Sequence, residues 1–138
     1  MESLLEKNKT VIKRFNKEII EEGNAASVKE LMNDDFINYT ALPGMSNGID
    51  GMTNAFSMLR SAFADLKVNL FEQVAEGELV TTRKEITGTH TGDLWGISPT
   101  GKKVMIRVID IVRVRDGKYA EHWGVNTIAS VMAELSKK

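Results

Sequence analysis

The stretch KKVMIRVIDIVRVRDGKYAEHWGVN, residues 102–126, decides the fold because it has the pattern of two β-strands joined by a tight turn. Over residues 102–115, β-branched side chains alternate with other residue types, which is the period of a strand. Arg115-Asp116-Gly117 then separates this segment from a second strand-like segment over residues 118–126. Aspartate followed by glycine is a frequent turn between antiparallel strands. The pattern therefore predicts an antiparallel hairpin.

Upstream of the hairpin the sequence predicts helices first and strands afterwards. The predicted helices span roughly residues 4–22, a short segment from the capping box Ser27–Glu30 to Met32, and a segment from Asp50; a last helix begins near Ile128. The predicted strands cover residues 36–40, 66–75 and 78–90 besides the hairpin. This order is typical of an α+β fold, and 138 residues suit a single domain over residues 1–138. We expect a curved, mostly antiparallel sheet wrapped around the N-terminal helices, with a central pocket.

Composition and charge exclude several function classes. The net charge is −1 and the basic residues are scattered, so no nucleic-acid surface is expected. No apolar run approaches the ~20 residues that span a bilayer, so we expect no membrane association. Two histidines and no cysteine give little ligand supply for a metal site, and none is expected. The charged N-terminal residues lack the apolar segment of a signal peptide, which favours a cytoplasmic protein.

Asp110 is the most informative candidate for chemistry. By strict alternation it shares one face of its strand with five aliphatic residues, Val104, Ile106, Val108, Val112 and Val114. Burial should raise the pKa of this carboxyl group, unless a cation or several donors hold it ionised. A purely structural hypothesis is that Asp110 bonds a buried backbone or hydroxyl group, or that the row is less buried than its pattern implies.

The register of the hairpin decides which residue meets Asp110. A three-residue loop with a glycine bulge would place His122 opposite Asp110, so that a carboxylate and an imidazole share the pocket wall. A two-residue Asp-Gly turn would shift the register by one and bring Tyr119, Glu121 and Trp123 to that face instead. The sequence is compatible with both.

Two further residues are weaker candidates for binding a ligand. His90 lies in Gly88-Thr89-His90-Thr91-Gly92, a segment of small residues that suits a strand end or loop. Trp95 could line an apolar cavity, as could three methionines, Met45, Met52 and Met58. Side chains of this kind are also common in ordinary cores.

Three segments, GTHTGDLWGISPTGKKV, VIDIVRVRDGKYAEHWGV and DFINYTALPG, resemble the SnoaL-like polyketide cyclase family, which also includes ester cyclase-like proteins. The resemblance spans nearly the whole chain. It implies a cone-shaped α+β barrel related to nuclear transport factor 2 and ketosteroid isomerase. It also implies a homodimer through the outer sheet face and a cofactor-free reaction on a small hydrophobic molecule held in the hollow.

Carried over residue by residue, the resemblance keeps only part of the family's site. The acid/base aspartate of the cyclases matches Gly124, a cyclase histidine matches Asp110, and a cyclase asparagine matches Asn38, which is retained. In ketosteroid isomerase the neutral carboxylic acid of the oxyanion site aligns with Asp110, and its oxyanion tyrosine matches Phe15. Fold alone does not carry function.

Three hypotheses follow. The first is a cofactor-free lyase, isomerase or hydrolase acting on a hydrophobic carbonyl compound, with Asp110 and His122 sharing acid and base work and Asn38 orienting an oxygen. The second is a protein that binds a small molecule in the same hollow without turnover. The third is an interaction module that uses the outer sheet face, which carries Met105, Ile109 and Ile111.

Overall fold

A computed structural model describes residues 2–137 of the chain. Its elements in chain order are α1 (Leu4–Arg14) continued by a π-helical segment (Phe15–Glu21), α2 (Ala25–Leu31), β1 (Met32–Asn38), α3 (Ile49–Ala62), β2 (Lys67–Glu76), β3 (Leu79–Thr89), β4 (Lys103–Arg115), β5 (Lys118–Asn126) and α4 (Ile128–Leu135). The predicted α+β order is confirmed. None of the helices in residues 2–137 is long and apolar enough to cross a membrane.

The N-terminal helices begin and end at residues whose side chains or backbone suit those positions. Ser3 caps α1, because its Oγ accepts a hydrogen bond from the backbone N–H of Glu6 at 3.2 Å. The long helix ends at Gly23, whose φ of 66° suits glycine. The prediction that Ser27 caps the second helix is wrong. The cap is Asn24, whose Oδ1 accepts from the N–H groups of Ala26 and Ser27.

The five strands form one mixed sheet in the order β1-β5-β4-β3-β2. The long neighbours β2 to β5 pair antiparallel, as expected for strands joined by short turns or loops. β1 instead pairs parallel with β5 and lies at the edge of the sheet. This pairing brings Asn38, at the end of β1, directly beside His122 of β5.

The turn between β4 and β5 is the two-residue alternative. Arg115 pairs with Lys118, and Asp116 and Gly117 between them both have positive φ, 52° and 78°. Such a turn matches the twist of the flanking strands. The three-residue loop is therefore wrong.

A β-bulge then changes the register two residues after this turn. Tyr119 pairs with Val114 and Glu121 pairs with Arg113, so Ala120 is the extra residue. Because one additional residue reverses the alternation of a strand, the residues after the bulge face the opposite way from a regular hairpin. His122 consequently points inward, together with Tyr119.

This bulged register overturns both expectations for the partner of Asp110. Asp110 pairs with Gly124, not with His122, which pairs with Val112. Glu121 and Trp123 pair with outward-facing residues of β4, so they do not join Tyr119 on the inner face. The aliphatic row around Asp110 is nevertheless inward-facing as predicted.

Two clusters of buried side chains fill the space between helices and sheet. The first joins α1 and the π-helical segment to the strands and contains Ile12, Phe15, Ile19, Ile20, Leu31, Met32, Phe36, Met52, Val80, Val112, Val114 and Tyr119. The second joins α3 and α4 to the other end of the sheet and contains Leu59, Ala62, Phe63, Ile86, Leu94, Ile106, Val108 and Leu135. Helix α3 supplies Met52 to the first cluster and both Leu59 and Ala62 to the second.

Candidate functional site

A cavity of about 160 Å³ lies between the helices and the inner face of the sheet. Its volume is close to the roughly 150 Å³ of an engineered apolar cavity that binds benzene. Its walls are mainly apolar, and its polar members are Asn38, Thr40, Ser46, Lys84, Asp110, Tyr119, His122 and Asn126. Thr40 and Ser46 are exposed, so the cavity reaches the surface along the loop after β1. The cavity is therefore about large enough to enclose one six-membered ring.

Three ionisable side chains form a buried network on one wall of the cavity. Lys84 Nζ lies 2.7 Å from Asp110 Oδ2, and His122 Nε2 lies 2.8 Å from Asp110 Oδ1. The Lys84 and Asp110 side chains are only 5% and 7% exposed. Both carboxylate oxygens of Asp110 therefore have a basic partner in a site largely closed to water.

The predicted upward shift of the Asp110 pKa is wrong. Burial by itself raises the pKa of this carboxyl group, but the charge of Lys84 and the hydrogen bond from His122 outweigh burial. The pKa of Asp110 is consequently lowered from 3.8 to about 2. Asp110 is an ionised carboxylate at neutral pH, and it does not play the neutral, donating role that the resemblance to ketosteroid isomerase implies.

Lys84 is the functional residue that the sequence analysis missed. It lies on β3, where the buried residues Val80, Thr82, Lys84 and Ile86 alternate with more exposed ones. The signal was therefore present: a single lysine occupies an inward position of an otherwise apolar and small-residue row. Lys84 also bonds Asn16 of the π-helical segment, because Asn16 Oδ1 accepts a hydrogen bond from Lys84 Nζ at 2.7 Å. Asn16 in turn donates to the carbonyl of Ile12 at 2.8 Å.

His122 lies between two hydrogen-bond acceptors. Its Nδ1 is 2.8 Å from Asn38 Oδ1, and its Nε2 faces the carboxylate of Asp110. The orientation of the Asn38 amide is fixed because Oδ1 also accepts from the backbone N–H of Thr40 at 3.1 Å. Only the doubly protonated imidazolium donates from both ring nitrogens. Both ring nitrogens of His122 have an oxygen acceptor within hydrogen-bond distance.

Gly124 makes the contact between His122 and Asp110 sterically feasible. A Cβ at Gly124 would lie 2.9 Å from Asp110 Oδ1 and 2.9 Å from His122 Cε1. Atoms at that separation must move apart. Gly124 does not line the cavity. Because glycine has no side chain, the His122 imidazole can contact the Asp110 carboxylate on the neighbouring strand.

Phe15 and Tyr119 form a neighbouring part of the cavity wall, and the sequence places Tyr119 there only under the alternative register. Their rings stack at 4.1 Å between centroids with 16° between planes. Tyr119 is 2% exposed and lines the cavity. Its hydroxyl makes no hydrogen bond within residues 2–137. Burial and the negative charge of Asp110 raise the pKa of Tyr119 well above its ordinary value, so the phenol stays protonated.

The two weaker candidates from the sequence lie in different surroundings. Trp95 lines the cavity, and its Nε1 donates to Met58 Sδ at 3.0 Å. His90 does not line the cavity; it is fully buried at 0% exposure, with its ring tilted against Phe63. Its Nδ1 accepts from the backbone N–H of Thr100 at 3.2 Å. Its Nε2 is the single buried side-chain nitrogen or oxygen without a partner among the described residues.

No group of three or more histidine, cysteine, aspartate or glutamate side chains within residues 2–137 is arranged to hold a metal ion. The ionisable groups of the cavity are instead paired with one another.

Comparison with known proteins gives a family match and a set of similar folds. A model of the SnoaL-like polyketide cyclase family matches residues 10–135. No curated protein sequence matches the chain.

Among solved structures, TsrD from Streptomyces laurentii is 24% identical with a TM-score of 0.84, and the match covers 98% of each chain. IdmH from Streptomyces antibioticus, a proposed polyketide cyclase, is 26% identical with a TM-score of 0.80, over 94% of this chain and 99% of that one. A proposed SnoaL-like polyketide cyclase from Jannaschia sp. CCS1 is 22% identical with a TM-score of 0.84, over 100% and 98%. These proteins share the helix-lined, curved-sheet fold of the chain.

Proposed function

This chain belongs to the SnoaL-like polyketide cyclase family, and we propose that it moves protons on a small hydrophobic carbonyl compound without a cofactor. The observation that carries the proposal is the position of His122 on the cavity wall, between the amide of Asn38 and an ionised carboxylate. An imidazolium held in this way is a proton donor, and the imidazole that remains after donation is a base.

The proposed chemistry uses one ring for both proton transfers. Nδ1 of His122 gives its proton to the carbonyl oxygen, while Nε2 stays bonded to Asp110. The neutral imidazole then takes a proton from the carbon next to the carbonyl, the C–H electrons form the carbon–carbon double bond of the enol, and the imidazolium is restored. In a β,γ-unsaturated ketone the product of this step is a dienol. The imidazolium would then protonate its γ-carbon and the resulting imidazole would take the hydroxyl proton, which restores the carbonyl and completes an isomerisation. Attack of an enol carbon on a second carbonyl carbon, with the enol proton passing to the imidazole and the imidazolium proton to the new alkoxide oxygen, would close a ring.

In this proposal Asp110 and Lys84 are positioning residues. Because both oxygens of Asp110 are bonded, the carboxylate is not the base that meets the ligand. It holds the imidazole ring and balances its charge, and Lys84 keeps it ionised. The Nδ1–H group of His122 is shared between two acceptors, the Oδ1 of Asn38 and the ligand oxygen. This assignment differs from the hypothesis based on the sequence, in which Asp110 and His122 share the acid and base roles.

A second candidate is binding of the same class of molecule without turnover. It is favoured by the hydrogen bonds themselves, since every ring nitrogen of His122 and every carboxylate oxygen of Asp110 already has a partner. A ligand would then be held by the apolar walls alone, with the network as a fixed polar floor.

Exchange of hydrogen for deuterium next to a carbonyl separates these two candidates. Acetophenone, a monocyclic ketone, is incubated with the protein in D₂O, and loss of its methyl proton signal is followed by NMR. We expect the protein to accelerate exchange, and His122→Gln to lower that acceleration by about 10²-fold or more, the scale of general acid–base catalysis. Glu121→Gln is the matched control, because Glu121 is the preceding residue and points to the outer face.

The outcome of this experiment decides between the candidates directly. A ligand-raised Tm without accelerated exchange supports the binding protein, since a ligand that binds the folded state stabilises it. Equal acceleration by wild type and His122→Gln would refute the proposed chemistry.

We also propose that the chain forms a homodimer through the outer face of the sheet. Support comes from exposed apolar side chains on adjacent strands, where Ile109 pairs with Val125 and Met105 lies on the same strand. These side chains are 47%, 68% and 45% exposed, respectively. Contiguous apolar surface of this kind is typical of protein–protein contacts.

A further inference from the structure

The hydroxyl of Tyr119 is a polar group that the proposed chemistry does not use. Tyr119 is 2% exposed, it lines the cavity, and its hydroxyl makes no hydrogen bond within residues 2–137. Among the described residues the one fully buried side-chain nitrogen or oxygen without a partner is His90 Nε2, so the Tyr119 hydroxyl keeps some accessible surface. Because Tyr119 lines the cavity, this hydroxyl is free to form a hydrogen bond with water or with a molecule that occupies the cavity.

The β-bulge at Ala120 is the reason that this hydroxyl and the imidazole share one wall. Tyr119 and His122 are three residues apart, and a regular strand would send them to opposite faces of the sheet. With the extra residue between them both side chains point inward, and their rings lie 6.3 Å apart with 20° between planes. Bulges next to functional sites often redirect a side chain in this way.

The ring of Tyr119 is held in place by aromatic neighbours, not by its hydroxyl. It stacks on Phe15 at 4.1 Å and packs against Phe36 at 5.6 Å. A substitution that removes only the oxygen would leave this packing intact. The position is thus preorganised to present a donor at a fixed point of the wall.

We infer that Tyr119 is the residue that selects the ligand, by donating a hydrogen bond from its hydroxyl to an acceptor oxygen on a monocyclic apolar molecule. The phenol stays neutral because burial and the charge of Asp110 oppose its ionisation. It therefore acts as a donor toward a carbonyl or comparable oxygen, and a pure hydrocarbon of the same shape leaves it without a partner. This inference deepens the proposed function and rests on the same cavity.

Two ligands of nearly the same shape test the inference. Acetophenone carries a carbonyl oxygen, and ethylbenzene replaces the carbonyl group by a methylene group. We expect the wild-type protein to bind acetophenone about tenfold more tightly than ethylbenzene, the scale of one hydrogen bond. Tyr119→Phe should remove this preference by weakening acetophenone alone. Tyr39→Phe is the matched control, since Tyr39 is the second of two tyrosines and bonds Glu121 outside the cavity.

A spectroscopic measurement on the wild-type protein keeps the test valid if Tyr119→Phe does not fold. With only two tyrosines, ¹³C labelling at the ring carbon that bears the hydroxyl gives two signals, which Tyr39→Phe assigns. We expect acetophenone to shift the Tyr119 signal and ethylbenzene to leave its hydrogen-bond state unchanged.

Several results would overturn the inference. These are an unchanged preference in Tyr119→Phe, equal shifts with both ligands, binding of neither ligand by the wild-type protein, or a hydroxyl that keeps an ordered water in the complex. The proposed chemistry is tested separately, by comparing deuterium exchange in the wild-type protein and in His122→Gln. Acetophenone bound through Tyr119 without exchange would refute that chemistry and leave the role of Tyr119 standing.

Discussion

Asp110 and Gly124 lie directly opposite each other on β4 and β5, and the space that a side chain at Gly124 would fill is used by His122. The His122 imidazole contacts the Asp110 carboxylate diagonally across the two strands. The cross-strand partner of His122 is Val112, which is two residues from Asp110. Diagonal neighbours in a sheet are normally about 7 Å apart, within reach of a long aromatic side chain only if nothing stands between them. Glycine at position 124 is therefore a structural condition for the buried network.

Gly124→Ala should separate the imidazole from the carboxylate. The added methyl group would meet Asp110 Oδ1 and His122 Cε1 at 2.9 Å, and we expect a loss of about 1–3 kcal/mol in the free energy of unfolding. Urea unfolding measures this loss, and ¹⁵N NMR of the His122 ring reports the altered hydrogen bond. Gly48→Ala is the control, because a Cβ there meets nothing closer than 3.8 Å. Equal effects of both substitutions would contradict this account.

Asp110→Asn should destabilise the protein strongly, because it leaves the Lys84 ammonium buried without a counter-charge. Breaking a buried pair in this way costs about 3–5 kcal/mol. Lys84→Met should also destabilise, and the double variant should lose less than the sum of the two single variants. Urea unfolding of the four proteins gives the coupling free energy. Strict additivity would mean that the two side chains do not interact in solution.

The lowered pKa of Asp110 predicts a loss of stability in acid. In the interval between 3.8 and about 2 the unfolded chain binds a proton that the folded chain does not, so the free energy of unfolding rises with pH there. The stabilisation is fully present above about pH 5 and disappears as pH falls through 4 toward 2. Comparing acid unfolding of wild type and Asp110→Asn isolates this contribution. A constant difference in stability between the two proteins across that interval would contradict the shift.

Ile109→Lys should dissociate the proposed homodimer and leave the folded protomer intact. Ile109 is 47% exposed on the outer face, so the substitution is expected to change the stability of a protomer by less than about 0.5 kcal/mol. Sedimentation equilibrium measures the association. Val74→Lys serves as the control, since Val74 lies on the edge strand β2 and is also exposed. A wild-type protein that remains a monomer at high concentration would refute the homodimer.

Much of the fold could be predicted from periodicity. The helix over residues 4–22, the start of a helix at Asp50 and the strand limits near 102–115 and 118–126 all follow from spacing and turn residues. The structure confirms them to within a few residues. The burial of Asp110 followed from the same alternation. These features are local, so the sequence alone carries them.

The features that could not be predicted depend on pairs of distant residues. The bulge at Ala120 changes the pairing of every later residue in β5. The local sequence pattern marks it only by the spacing of Tyr119 and His122, which are three residues apart. The pKa of Asp110 is lowered and not raised because Lys84 lies near its carboxylate. Lys84 is two residues along β3 from Thr82, which is the cross-strand partner of Asp110. The Ser27–Glu30 pattern predicts a cap at Ser27, but the helix begins three residues earlier at the cap Asn24, and the Ser27 hydroxyl donates to Glu18 of the preceding segment.

The parallel pairing of the first strand with the last has a consequence for how the molecule forms. Asn38 and His122 are 84 residues apart in the chain, and every other strand of the sheet lies between them in sequence. Contacts of such long separation form slowly, because a large loop must close before they are made. During synthesis the helices and the β2–β3 hairpin can fold early, whereas the imidazole meets its amide only when the last strand docks beside the first. The contact between Asn38 and His122 is thus expected to be the final part of the molecule to assemble.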